Sequence, residues 1–305
     1  MRIDGLLFSY PGSKWRLAPQ YQRLYPPHRV FVDVFGGSGA LISRQPSRAI
    51  EVYNDLDTAV FNVFATVKDA ITYEEVLRLL EATSNDREQY NECKRVLADP
   101  DETSVRRAWA FLVCGNIGFA AHPALAGGWI RHERQRRDFI NLPTRLRWWH
   151  KRLQNVHLQN RPWREVIDLY DSPETLYLCD PPYLAGVLRS SANQYYQHRM
   201  DTQAHIELIE RLRMIQGRCM VCGYHHPLYT QLLFHWRRVT FVARETMGGR
   251  AGKRQEIAWL NYEDDGSKIE GNRLRIAKRY VQIMESEEEA AKYVERIKRL
   301  RRLLK

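Results

Sequence analysis

Arg29-Val-Phe-Val-Asp-Val-Phe-Gly-Gly-Ser-Gly-Ala-Leu-Ile42 is the stretch on which the fold turns. Its first seven residues are mostly β-branched or aromatic, the composition of a strand buried on both faces. Gly36-Gly-Ser-Gly39 then supplies a tight turn, and Ala-Leu-Ile opens a helix. Strand, glycine turn and helix in that order form the first unit of a doubly wound sheet. The glycines do not follow the Gly-x-Gly-x-x-Gly spacing of dinucleotide binders, which argues against a nicotinamide-dependent dehydrogenase.

Outward from this unit, a second strand, Ala49-Ile-Glu-Val-Tyr53, ends in Asn54-Asp55, and a helix follows to about Val67. The pattern then changes. Ile71 to Leu97 repeats apolar residues at helical spacing, and Arg106 to Val113 reads as another apolar helix. Cys114 to Pro143 reads as irregular and contains the basic stretch Arg131-His-Glu-Arg-Gln-Arg-Arg137. Sheet periodicity resumes at Val156-His-Leu-Gln159 and at Thr175-Leu-Tyr-Leu-Cys179. A helix over Thr202 to Ile215, a strand at Cys219, a helix near Pro227 to Phe234 and strands at Arg238 to Ala243 and Glu256 to Asn261 complete the series. The expected fold is α/β: a doubly wound, Rossmann-like sheet interrupted by a mostly helical inserted lobe. Residues 1–68 and 154–265 would form the sheet domain, 69–153 the insertion, and 266–305 a charged C-terminal helical extension. In that extension Glu287 to Leu304 runs from acidic to basic, matching the helix dipole. Its seam of Tyr293, Ile297, Leu300 and Leu304 suits docking on its own domain, dimerisation or DNA contact.

The chain has 305 residues and a formal net charge of +11, with basic residues spread along its length. A folded, basic chain rich in Trp and Tyr suits a polyanion, whose phosphates meet the charges and whose bases meet the rings. Its five cysteines are an odd number in a chain that is not cysteine-dense, which excludes a disulfide scaffold. Cys219-Met-Val-Cys222 has the spacing of a metal half-site, but it lies in an apolar run with no second pair and reads as a buried strand. No run approaches a membrane span and the N-terminus lacks a leader, so a cytoplasmic protein is expected, acting as a monomer or weak dimer.

The sharpest chemical signal is Asp180-Pro181-Pro182-Tyr183, directly after the strand ending at Cys179. A carboxylate at the carboxyl end of a central strand faces the crevice where open α/β sheets bind ligands. The prolines fix the turn and leave their carbonyls free to accept. An amino group conjugated to a purine is a poor nucleophile because its lone pair is delocalised. Two acceptors, the Asp180 carboxylate and the Pro181 carbonyl, can take its two hydrogens and favour a pyramidal nitrogen. Tyr183 then offers a flat face to an extruded base. Asp55, at the end of the second strand, stands where ribose hydroxyls are gripped in such sheets, and Asp33 could face a cationic group. Tyr10-Pro-Gly-Ser-Lys14 places a lysine after a glycine-containing turn, suited to closing over a carboxylate.

Together Tyr10-x-Gly-x-Lys14, Asp33-x-Phe-x-Gly-x-Gly39, Asn54-Asp55 and Asp180-Pro-Pro-Tyr183 resemble the Dam-like (D12 class) adenine-N6-specific DNA methyltransferases, of phage and prophage type. Asp201 to Tyr229 and Arg254-x-Glu-x-x-Trp-Leu-Asn261 are similar to that family's later motifs, so the resemblance spans about residues 5–262. It implies methyl transfer from S-adenosylmethionine to N6 of adenine in duplex DNA, with base flipping, S-adenosylhomocysteine as product and no metal. Tyr10, Lys14, Asp33, Phe35, Gly37, Ser38, Gly39, Asn54, Asp55 and Asp180 would contact the cofactor. Asp180, Pro181, Pro182 and Tyr183 would hold the adenine. The insertion would read the target sequence, with Arg131, Arg134, Arg136, Arg137, Arg250 and Lys253 on DNA. Other readings remain open: an amino-group methyltransferase acting on cytosine N4, RNA adenine or a protein glutamine, or an inactive DNA-binding homologue. One departure stands out. Where the family commonly carries an acidic residue near the cofactor's adenine, this chain has Asn160-Arg-Pro-Trp163. Either Trp163 stacks on the adenine, the alignment slips, or affinity is reduced.

Overall fold

Neighbouring residues of each central strand bury into different cores. Phe31 and Val32, Leu176 and Tyr177, Leu178 and Cys179, Met220 and Val221, and Ala258 and Trp259 all split between two hydrophobic clusters, the first of each pair in one and the second in the other. A strand that is apolar at every position therefore needs a helical layer on each side, and it has one. The computed structural model describes residues 5–10, 12–45, 50–119, 128–129, 139–184, 198–244, 253–263 and 265. Arg131, Arg134, Arg136, Arg137, Arg250 and the extension from 266 lie outside the described residues.

The strands are β1 (Val30–Asp33), β2 (Ile50–Asn54), β3 (Gly118–Phe119), β4 (Gly128–Trp129), β5 (Val156–Gln159), β6 (Thr175–Cys179), β7 (Arg218–Tyr224), β8 (Arg237–Arg244) and β9 (Lys253–Leu260). The main sheet has seven strands in the order β5-β2-β1-β6-β7-β9-β8. From β5 to β7 the pairs are parallel; β9 is antiparallel to both β7 and β8. The chain moves from β1 outward to β2 and β5, then crosses back to β6 on the other side of β1. The β1–β6 boundary is thus the topological switch point, and the crevice beyond its carboxyl ends is where such a sheet binds ligands. Short β3 and β4 pair separately.

Helices flank this sheet among the described residues, and their order locates the site. They are α1 (Ala18–Gln22), α2 (Ala40–Arg44), α3 (Thr58–Lys68), α4 (Ala70–Glu81), α5 (Arg87–Ala98), α6 (Ser104–Ile117), α7 (Leu142–Leu153), α8 (Trp163–Tyr170), α9 (Thr202–Met214) and α10 (Pro227–Leu232). The first cluster joins α3 to α7 to one sheet face through residues such as Phe64, Phe111 and Trp149. The second puts Val166 and Ile167 of α8, Leu208 and Leu212 of α9 and Leu228 of α10 on the other.

Several helix boundaries differ from the sequence reading for local reasons. The periodic run from Ile71 to Leu97 is two helices, because Asp86 caps α5 by accepting from the Gln89 amide at 2.8 Å, after a polar break at Thr83-Ser-Asn85. The apolar helix at Arg106 to Val113 is longer at both ends, capped by Thr103 and continuing to Ile117. The segment read as irregular ends in α7, where Pro143 occupies the first turn, as proline can. No helix among the described residues is long and apolar enough to cross a membrane. All five cysteines are buried and free.

Candidate active site

The glycine turn after β1 exists because a neighbouring ring leaves no room for a side chain. A Cβ on Gly36 would stand 2.1 Å from the Tyr53 ring, and Tyr53 donates its hydroxyl hydrogen to the Gly37 carbonyl at 2.7 Å. Gly39, at φ +70°, starts α2 in the left-handed region where glycine is favoured. The Gly37 amide donates to Asp55 Oδ2 at 2.7 Å, and the Asp57 amide donates to Asp55 Oδ1 at 2.8 Å, which ties the end of β2 to the turn.

Beyond the carboxyl ends of β1 and β6 lies a cavity of about 300 Å³. Tyr10, Lys14, Phe35, Gly37, Ser38, Asn54, Asp55 and the whole tetrapeptide Asp180 to Tyr183 line it. Residues separated by most of the chain thus meet at the switch point. Two candidates stand back from the wall. Asp33 is fully buried, and Gly39 packs behind the turn against Trp149. Burial first, then the charges of Asp180 and Asp55, hold the Asp33 carboxyl well above the usual carboxylate range. Lys253 begins β9, and its backbone alone is described.

At the Asn54 end, the side chain is locked by reciprocal bonds: its amide donates to Arg161 O at 3.1 Å and to Val34 O at 2.9 Å, and its oxygen accepts from the Arg161 amide at 3.0 Å. Asn160 donates to the Asp55 carbonyl at 2.7 Å. The Asn160-Arg-Pro-Trp163 segment is therefore pinned against the end of β2. Arg161, Pro162 and Trp163 line the cavity beside Asp55 and Leu56.

At the other end, Lys14 is 4% exposed and its ammonium is surrounded. Nζ donates to Gly12 O at 2.9 Å, Asp180 Oδ2 at 2.7 Å and Tyr183 OH at 2.6 Å, and lies 3.2 Å from Glu256 Oε1. Nζ is 5.1 Å from the Tyr183 ring centre, a distance imposed by the hydroxyl contact at the ring edge. The Tyr183 ring is tilted 40° against Tyr224, centroids 4.7 Å apart. Burial alone works against the Lys14 charge, but Asp180 and then Glu256 more than offset it, and its pKa stands well above that of a free lysine. Asp180 is pushed up to about 6, mainly by burial, with Lys14 pulling down and Glu256 pushing up. Among the described residues no donor reaches its Oδ1.

Lys14 thus faces the tetrapeptide's carboxylate, where the sequence suggested a ligand's carboxylate. The sequence reading quoted Glu256 in a motif but gave it no role; opposite Tyr224 on β7, it reaches the Lys14 ammonium. Among the described residues no group of three or more His, Cys, Asp or Glu side chains is placed to hold a metal ion.

A family model described as D12 class N6 adenine-specific DNA methyltransferase matches residues 10–234. No curated protein matches the chain. Among solved structures, one described as a provisional rRNA-methylase from Clostridium thermocellum is 8% identical, covering 83% of this chain and 98% of its own, at a TM-score of 0.36. So distant a likeness carries no argument about substrate.

Proposed function

The chain belongs to the D12 class N6 adenine-specific DNA methyltransferase family, and from that premise we propose that it takes its methyl group from S-adenosylmethionine bound in the switch-point cavity and acts on an adenine turned out of duplex DNA. The observation that carries this reading is that one cavity is lined by both the glycine turn with Asp55 and the tetrapeptide Asp180 to Tyr183.

The lining fits such a cofactor. Asp55, held at the end of β2 by the Gly37 and Asp57 amides, lines the cavity with a carboxylate suited to a ribose diol. Leu56, Pro162 and Trp163 give its adenine an apolar slot beside that carboxylate, in place of the family's usual acidic partner. Gly36 and Gly37 let a ligand approach the backbone closely. When bound, the cofactor supplies a methyl carbon on a positive sulfur, already electrophilic, with neutral sulfur as the leaving group.

The protein's own residues prepare the amino nitrogen. Asp180 and the Pro181 carbonyl accept the two amino hydrogens, which localises the lone pair on nitrogen. Asp180, as a carboxylate, also favours the positive charge that develops there. The ring of Tyr183 stacks on the extruded base. Holding both reactants in one cavity converts a bimolecular encounter into a positioned one, worth up to ~7–11 kcal/mol in favourable intramolecular cases. Residues 69–153 would form the target-reading lobe, with Arg131, Arg134, Arg136 and Arg137 on phosphates.

The test is incubation of purified protein with methyl-labelled S-adenosylmethionine and unmethylated, adenine-rich duplex DNA, followed by nucleoside analysis. Label in N6-methyladenine is the expected result. Label in N4-methylcytosine, or in RNA alone, would overturn the substrate, and failure to bind S-adenosylmethionine would overturn the cofactor.

A further inference from the structure

Lysine has three protons to give, and in this fold each has a destination. They go to Gly12 O, Asp180 Oδ2 and Tyr183 OH, at 2.9, 2.7 and 2.6 Å. The Tyr183 hydroxyl, having accepted from Lys14, donates its own hydrogen to Glu256 Oε1 at 3.4 Å. That same oxygen lies 3.2 Å from Nζ. Glu256 therefore closes a ring with Lys14 and Tyr183. The Lys14 and Glu256 side chains are each 3% exposed, so water does not stand in for either partner. Without Glu256 the ammonium would face a single carboxylate and could follow it.

From this geometry we infer that Glu256 is a positioning residue: through Lys14 it fixes one oxygen of Asp180, so that the other is presented to the substrate's amino group. The inference rests on the reading of Asp180 as the acceptor of amino hydrogens. It assigns Lys14 to the catalytic carboxylate, and a cofactor's carboxylate must find its partner elsewhere.

The electrostatics supply a readout that a merely structural role would not move. Asp180 is faced by Lys14 and Tyr21 from the N-terminal segment and α1, Asp33 from β1, Cys222 from β7, Tyr229 from α10 and Glu256 from β9, with Cys179 and Tyr183 on its own segment. Lys14 pulls the Asp180 pKa down and Glu256 pushes it up. Removing either charge should therefore shift the acid limb of the rate profile in opposite directions.

The experiment compares the wild type with Glu256→Gln, Glu256→Asp, Lys14→Met and the double variant Lys14→Met/Glu256→Gln, using labelled S-adenosylmethionine and duplex DNA. For Glu256→Gln we expect kcat to fall by up to about 100-fold, the order of loss that a small misplacement of a reacting group causes. The DNA KM and the S-adenosylmethionine Kd should stay near wild type, and the acid limb should move to lower pH. Lys14→Met should move that limb to higher pH, and adding Glu256→Gln to it should cost little more, since the effect runs through Lys14. Glu256→Asp keeps the charge, so it should leave the limb in place and restore part of the rate; it also carries the test if Glu256→Gln melts below assay temperature. Wild-type kcat in a folded Glu256→Gln protein, or losses that multiply in the double variant, would overturn the inference. So would a Lys14→Met variant that weakens cofactor binding and leaves kcat intact. A wild-type protein that leaves adenine unlabelled would instead strike the underlying reading.

Discussion

Asp180 can accept amino hydrogens only as a carboxylate, and its surroundings oppose that form. Burial raises its pKa and Glu256 adds to the rise; Lys14 opposes both, and the balance stands at about 6. Above that pH the group is ionised and accepts; below it the group is protonated and one oxygen becomes a donor, which repels the amino hydrogens it should hold. The rate at saturating substrates should therefore fall on the acid side of about pH 6, with a limb of unit slope in a plot of log kcat against pH. Asp180→Ala should lower kcat by at least about 10²–10³-fold, the scale of losing one preorganised electrostatic contact, while duplex binding in a gel-shift assay survives. A folded Asp180→Ala protein that turns over freely would remove the residue from this role.

At the level of elements, α7 is fastened to the sheet by one buried ion pair. Arg152 reaches Glu51 of β2 with both terminal nitrogens, at 2.7 and 2.9 Å, and also donates to the Ile42 carbonyl at 2.7 Å. The Glu51 side chain is fully buried. Arg152→Met would strand that carboxylate, and loss of one partner from a buried pair costs about 3–5 kcal/mol. Chemical denaturation should show it as a lowered midpoint, and Arg152→Met/Glu51→Leu should recover most of the loss. The strands around this pair were legible in the sequence because a strand buried on both faces is apolar at nearly every position, as in Val30 to Phe35 and Thr175 to Cys179. So were the two ends of the site, since a glycine turn and a Pro-Pro turn are written in consecutive residues. What could not be read there is tertiary. Lys14 and Asp180 stand 166 residues apart, and no local pattern tells which anion a lysine will meet. Asp33 reads as a carboxylate facing a cationic group, yet it is completely buried and stands back from the cavity wall. Helix α8 opens at Trp163 after a proline, a helix the sequence reading did not assign, and its apolar positions Val166 and Ile167 pack on the sheet.

The molecule as a whole carries a formal charge of +11, and a duplex is a dense polyanion. Each phosphate neutralised by a lysine or arginine contributes about −0.9 to the slope of log K against log salt. Duplex affinity should fall steeply between low and physiological salt, while S-adenosylmethionine affinity, set inside a cavity, should change little; fluorescence titration of both ligands across a salt series checks this. A flat response for DNA would mean that the basic residues do not lie on its path.

The strand order has one more consequence, in the timing of synthesis. The cavity draws on Tyr10 near the start of the chain, and Lys14 finds its second carboxylate only on β9, which inserts between β7 and β8 although it is made after both. A nascent chain that has emerged as far as Tyr183 already displays every lining segment but the one that follows it, and three partners of the lysine, yet lacks its second carboxylate. The ribosome must deliver residue Glu256 before the ring around that ammonium closes, so a half-made chain carries the tetrapeptide and the lysine without the group that completes their support.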